Sequence, residues 1–223
     1  MVLQTKGLAP GGPATRLARE WASPPQSNPH RSETGRMETT PLEILIPAEE
    51  IAARVAELGT RIGADYPAAE PLLLVGVLKG AWVFLADLAR AIPRPVSVDF
   101  LSTSSYGRER TSSGEVKLIR DLDESIEGKH VLLVEDIVDT GITLSYLLRV
   151  LGQRHPASLR IATFLDKPSR RKEPVEIAYR GFEVPDRFVV GYGLDYASKY
   201  RNLKDLCALL DEAETGAVGR ARP

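Results

Sequence analysis

The stretch HVLLVEDIVDTGITLSYLLRVL, residues 130–151, constrains the fold more than any other part of the chain. Four consecutive apolar residues, Val131 to Val134, run into Glu135 and Asp136; Asp139 follows, then Thr-Gly-x-Thr. A short apolar run of this kind reads as a strand covered on both faces, the pattern of a parallel sheet with helices on either side. Leu144, Leu147, Leu148 and Leu151 then recur at helical spacing. Packing gives no reason for three carboxylates at the end of a buried strand, where they repel one another and resist desolvation.

The rest of the chain repeats the alternation. LEILI reads as a short strand, and Ile51, Val55, Leu58 and Ile62 predict an amphipathic helix with Pro47 near its start. PLLLVGVLKG is a second buried strand closed by Lys79-Gly80, and AWVFLADLARAI a helix ended by Pro93. VSVDFL is a β-branched strand leading into STSSYGRERTSSGE, a polar loop expected to be mobile. VKLIRDLD, SLRIATFLDK, VEIAYRGFEV and RFVVGYGLDY predict further strands, and a final helix is expected from about Leu203, including LKDLCALLDEA. Strands alternating with helices give an α/β fold on a mainly parallel sheet.

Composition bounds the function classes. The 223 residues are 43% hydrophobic and 26% charged with a net charge of -1, which argues against a protein whose main role is gripping nucleic acid. No apolar run approaches the roughly 18 residues of a membrane helix. The single cysteine, Cys207, excludes an intrachain disulfide, fits a reducing cytoplasm, and reads as a small apolar packing residue. Residues 1–40 are rich in Pro, Gly, Ser and Arg without sustained periodicity, so a disordered extension is expected, with Met37 as an alternative start. The domain is expected over 41–214, with a frayed tail over 215–223.

The chemistry concentrates at Glu135–Thr143. Ligands of open parallel sheets sit beyond the carboxyl ends of strands. DTGIT leads into a helix N-terminus, where free N–H groups and the helix dipole favour an anion. Gly141 permits close backbone approach and Thr140 and Thr143 add hydroxyl donors, so this half suits a phosphate. The neighbouring Glu135 and Asp136 suit sugar hydroxyls or a divalent metal with oxygen ligands. Phosphate and vicinal hydroxyls together describe a ribose 5-phosphate. The P-loop pattern and G-x-G-x-x-G after the first strand are both absent. A response-regulator-like acid cluster would leave Thr-Gly-x-Thr unexplained.

VLLVEDIVDTGITL resembles the phosphoribosyl-diphosphate signature of the type I phosphoribosyltransferases. VGVLKGAWVFLADL, VDFLSTSSYG, FLDKPSRR and FVVGYGLDYASKYRNL, in that order, are similar to the 6-oxopurine branch of that family, in its bacterial form, over about residues 42–212. The resemblance implies a mainly parallel central sheet flanked by helices, with a small hood from the chain ends. The implied reaction is purine salvage: hypoxanthine or guanine and phosphoribosyl diphosphate give IMP or GMP and diphosphate in a cytoplasmic homodimer or homotetramer, without nucleic acid or membrane.

Residue by residue, the resemblance implies that Thr140, Gly141, the Ile142 backbone and Thr143 cradle the 5-phosphate. Family members often carry a basic residue at the position of Ile142. Glu135 and Asp136 face the ribose, directly or through Mg²⁺. Asp139 is implied as general base at purine N7. Lys79 and Gly80, at a non-proline cis peptide, and Arg201 contact the diphosphate. Lys167, a donor-only ammonium, selects the O6 carbonyl over an amino group. Phe188 stacks on the base, Val189 offers backbone groups to its edge, and Asp195 completes this side and reaches a second Mg²⁺. Ser105 and Tyr106 form a lid that excludes water. A xanthine-preferring relative is the nearest alternative, and an RNA-binding regulator on the same fold a more distant one.

Overall fold

The structure is a computed structural model that describes residues 41–105 and 116–210. The strand β1 (Leu42–Ile46) leads into α1 (Ala48–Asp65), followed by β2 (Leu72–Leu78), α2 (Trp82–Ala91), β3 (Ser97–Ser105) and β4 (Val116–Arg120). Then come β5 (His130–Val138), α3 (Ile142–Gly152), β6 (Ser158–Asp166), a 3₁₀ turn (Pro168–Arg170), β7 (Tyr179–Glu183), β8 (Val189–Val190) and β9 (Leu206–Leu209).

Six strands form one sheet in the order β4-β3-β2-β5-β6-β7. Every pairing is parallel except β3 with β4. The apolar run of β2 is buried on both faces because alternate side chains serve different cores. Leu72 and Leu74 pack with Ile51, Val55, Leu58 and Ile62 of α1 and with Phe84, Leu85 and Leu88 of α2. Leu73, Val75 and Val77 pack with Leu144, Leu147 and Leu151 of α3. Burying each such side chain contributes roughly 1.5–3 kcal/mol, so the helical stripes and the double-faced strands specify one another.

A separate three-stranded sheet, β1-β9-β8, is antiparallel throughout and forms the expected hood from distant parts of the chain. Here the structure corrects the sequence. The expected C-terminal helix is instead strand β9, with Leu206, Cys207 and Ala208 buried. Pairing to β1 on one side and β8 on the other overrides the helical preference of Leu and Ala. The preceding Asp205 caps α1 from a distance. Its carboxylate accepts the Ala48 N–H at 2.8 Å, where the N-cap residue Pro47 makes no side-chain cap.

Three smaller corrections follow. The strand that includes Glu135 and Asp136 runs two residues past them, since β5 stays paired with β6 to Val138. β3 runs to Ser105, so the start of the expected polar loop is strand, held by β4. RFVVGYGLDY is paired to a neighbouring strand only at Val189 and Val190, because Gly191, Tyr192 and Gly193 all take positive φ. The expected extension over 1–40, the tail over 215–223 and the tip of the polar loop lie outside the described residues. No helix among the described residues is long and apolar enough to cross a membrane.

Candidate active site

Connections diverge between β2 and β5. β2 passes through α2 to β3 on one side, and β5 passes through α3 to β6 on the other. Such a switch point leaves a crevice beyond the strand ends. A cleft of about 220 Å³ opens there, lined by Lys79, Gly80, Thr103, Glu135, Asp136, Asp139, Thr140, Gly141 and Thr143 among others. Roomier hollows of about 600 and 430 Å³ lie elsewhere. Neither contains the three carboxylates or the Thr-Gly turn, so chemistry rather than volume singles out the smaller cleft.

The turn into α3 explains its own sequence. Gly141 caps the helix with φ of 82°, and a Cβ there would stand 2.4 Å from the Glu173 carbonyl oxygen. Backbone conformation and space both exclude a side chain. The Thr140 carbonyl accepts N–H groups from Lys172 and Glu173 at 2.9 and 3.0 Å, tying the turn to the segment after β6. The cleft thereby presents Thr140, Gly141 and Thr143 together at a helix N-terminus, while Ile142 opens the helix.

Beside the turn, Glu135 and Asp136 sit among densely packed atoms although each retains some surface toward the cleft. Burial, and then the neighbouring Asp136 charge, push the Glu135 carboxyl well above its ordinary value. Burial raises Asp136 as well, opposed by hydrogen bonds from Glu135 and the Ile137 N–H and by the Arg201 charge. Glu135 Oε2 is buried without a hydrogen-bond partner. An orphaned buried carboxylate oxygen beside a second carboxylate fits a hard divalent cation, which neutralises the pair and takes oxygen ligands. Asp195 stands apart from them, held by Arg201 at 2.5 Å and by the Ser198 N–H at 2.8 Å. Among the described residues no three acid, histidine or cysteine groups converge as a ready-made metal cluster.

Lys79 and Gly80 form the opposite wall. The Leu78–Lys79 peptide is cis, as the resemblance implied. Gly80 lies so close to Asp136 that a Cβ would come within 1.4 Å of its carboxylate. On its other side Gly193 approaches the Gly80 carbonyl oxygen, leaving 2.3 Å for any added Cβ. Arg201 donates to the Gly193 carbonyl at 2.7 Å, which brings Arg201 and Asp195 to the Lys79 corner from about 120 residues further along the chain.

The remaining predicted residues assemble from separate segments. Lys167 is buried at the end of β6, and its N–H donates to the Val138 carbonyl at 2.9 Å, placing it beside Asp139. Its ammonium donates to the Arg187 carbonyl and stands 3.9 Å from Asp186. Burial lowers the Lys167 pKa, opposed by the charges of Asp139 and Asp186. Phe188 is 55% exposed, and its ring makes a T-shaped pair with Tyr196 at 5.4 Å between centroids. Val189 is buried in the hood strand β8. Ser105 ends β3, and Tyr106 lies outside the described residues.

Sequence reasoning missed three neighbours: Thr103 in the cleft wall, and Arg170 and Asp186, which reach Asp139 through ion pairs. Arg170 Nε lies 2.8 Å from Asp139 Oδ1 and Arg170 also contacts Asp186 at 3.2 Å. The Arg170 position was visible only as one basic residue in SRRK, three residues after Lys167.

The chain is similar to known phosphoribosyltransferases. Residues 43–197 match the phosphoribosyl transferase domain model. The chain is 54% identical over 165 residues to a hypoxanthine-guanine phosphoribosyltransferase of Mycobacterium avium, covering 72% of this chain and 81% of that one. It is 50% identical over 174 residues to a hypoxanthine phosphoribosyltransferase of Salmonella typhimurium, covering 77% and 98%. A solved hypoxanthine phosphoribosyltransferase from Staphylococcus aureus superposes with a TM-score of 0.73 at 46% identity, covering 77% of this chain and 92% of that structure.

Proposed function

Because the chain belongs to the phosphoribosyl transferase family, we propose that it transfers the phosphoribosyl group of phosphoribosyl diphosphate to hypoxanthine or guanine, releasing diphosphate and IMP or GMP. The observation that carries the reading is the meeting of two sites at one strand end. A Thr-Gly turn on a helix N-terminus adjoins, through the Lys167–Val138 hydrogen bond, a buried lysine whose ammonium is bound to the carbonyl preceding the exposed Phe188.

In this reading the turn Thr140–Thr143 holds the 5-phosphate and Glu135 and Asp136 face the ribose hydroxyls, directly or through Mg²⁺. Lys79, Gly80 and Arg201 hold the diphosphate. Glu135 and Asp136 are the residues that would hold Mg²⁺, with Asp195 serving a second ion; bound metal offsets the charge of the departing diphosphate. The bond from ribose C1 to diphosphate breaks as the bond to the purine nitrogen forms, and C1 gains oxocarbenium character. The purine sheds one proton, which Asp139 holds or receives at N7. The Lys167 ammonium donates to O6, Phe188 stacks on the ring, and Val189 and Asp195 bound its edge. Ser105 and Tyr106 belong to the lid that keeps water from the sugar cation.

The same reading takes in a domain over 41–214, in a cytoplasmic homodimer or homotetramer. Light scattering on the purified protein tests the assembly. The reaction is tested by supplying Mg²⁺, phosphoribosyl diphosphate and an equal mixture of hypoxanthine, guanine, xanthine and adenine. Hypoxanthine and guanine should be consumed first; strong adenine turnover with none of hypoxanthine would overturn the role of Lys167.

A further inference from the structure

Four charged side chains alternate in sign around the purine end of the cleft. Asp139 Oδ1 lies 2.8 Å from Arg170 Nε, Arg170 lies 3.2 Å from Asp186, and Asp186 lies 3.9 Å from the Lys167 ammonium. Arg170 thus bridges two carboxylates, one next to the residue that reads O6 and the other assigned to the proton at N7. We propose that Arg170, anchored by Asp186, is a positioning residue that aims the Asp139 carboxylate into the purine site. The inference rests on the reading of Asp139 as general base.

Stability does not explain the arrangement. The Arg170 and Asp139 side chains are 48% and 37% exposed, and ion pairs this open to water add little to folding. The Asp139–Arg170 contact also lacks hydrogen-bond direction, since Asp139 Oδ1 has no hydrogen-bond partner. What the contact supplies is orientation. Asp139 follows the end of β5 on a strand-to-helix turn, where its own backbone does little to fix the carboxylate. A reacting group must be held to a fraction of an ångström to work. The planar guanidinium suits this role because it can meet separate acids along different edges.

Its base is fixed as well. Arg170 closes the 3₁₀ turn, its N–H donating to the Lys167 carbonyl at 3.2 Å. Lys167 in turn is tied to Val138, the residue before Asp139. Both ends of the Arg170–Asp139 contact therefore refer to one backbone hydrogen bond between β5 and the end of β6. Lys167 approaches from the same side, so the charges facing Asp139 there are Arg170 and Lys167, with Asp186 behind them.

Steady-state kinetics of Arg170→Gln, Arg170→Lys, Asp186→Asn, Asp139→Asn and the Arg170→Gln/Asp139→Asn double variant, with hypoxanthine and phosphoribosyl diphosphate, tests this. Arg170→Gln should lower kcat on the order of 10- to 100-fold, the scale of a misplaced catalytic group, with KM for phosphoribosyl diphosphate little changed. Arg170→Lys should recover part of the loss, Asp186→Asn should lose less, and added guanidinium should partly rescue an Arg170→Gly variant. In the Asp139→Asn background, Arg170→Gln should cost nothing further. Unchanged kcat in Arg170→Gln, or a loss that multiplies that of Asp139→Asn, overturns the inference. Wild-type turnover by Asp139→Asn overturns the general-base reading instead. If Arg170→Gln fails to fold, unchanged kcat in Asp186→Asn together with no guanidinium rescue overturns the inference.

Discussion

The two halves of the cleft are built in opposite ways. The half proposed to hold the phosphates is mostly continuous in sequence: Glu135 to Thr143 crosses a strand end, a turn and a helix start, joined by Lys79–Gly80 from the adjacent strand and by Arg201. The half proposed to hold the purine is gathered from Asp139, Lys167, Arg170, Asp186 and Phe188, on loops and strand ends spread over about 50 residues. A contiguous half needs only local geometry to be correct. A gathered half needs the β5–β6 register and the hood sheet to be correct first. The ribose-phosphate side should therefore act as a fixed platform, and changes in base preference should arise on the purine side.

Asp139 lies where the halves meet, and its loss should have the largest effect. Asp139→Asn should lower kcat on the order of 10²–10⁴-fold while calorimetric binding of phosphoribosyl diphosphate persists. Loss of that binding would place Asp139 with the platform rather than the base. Next in size, Lys167→Met should reduce kcat/KM for hypoxanthine about 10- to 100-fold, the value of a hydrogen bond to a charged donor, without altering KM for phosphoribosyl diphosphate. A change in that KM would break the division between the halves.

On the platform, Gly141→Ala should cost about 1–3 kcal/mol of stability in urea unfolding through its positive φ, with the Glu173 carbonyl adding a direct clash. It should also raise KM for phosphoribosyl diphosphate. The smallest effect is expected from protonation of Glu135. Its folded-state pKa is raised, so its favourable contribution is complete below the ordinary carboxylate range and is lost as pH rises through the raised value. The melting temperature of the ligand-free protein should therefore fall from acidic toward alkaline pH by more than that of Glu135→Gln. Mg²⁺ with phosphoribosyl diphosphate should restore it, and chelation should remove that gain. A steeper fall in Glu135→Gln would refute the assignment.

Much of the fold was legible because burial leaves a periodic trace. Leu72 to Val77 and Val131 to Val134 could only be strands covered on both faces, and Ile51, Val55, Leu58 and Ile62 could only be a helical stripe on such a sheet. Leu206–Leu209 misled because Leu and Ala favour a helix locally, and only the edges offered by β1 and β8 make a strand there. Arg170 and Asp186 left no periodic trace because exposed ion pairs are set by where loops meet, not by spacing along the chain.

The sequence by itself determined the platform: strand, carboxylates, Gly141 turn and helix are consecutive, and each follows from short-range sterics, hydrogen bonding and burial. The tertiary structure decided how Lys79, Lys167, Arg170, Asp186, Phe188 and Arg201 meet it. Parallel pairing of β2, β5 and β6 sets which strand ends are neighbours, and the close approach of Gly193 to Gly80 brings the hood against the sheet. Those distances arise from the packing of non-local elements, whose cost and reward are settled only when the whole core forms.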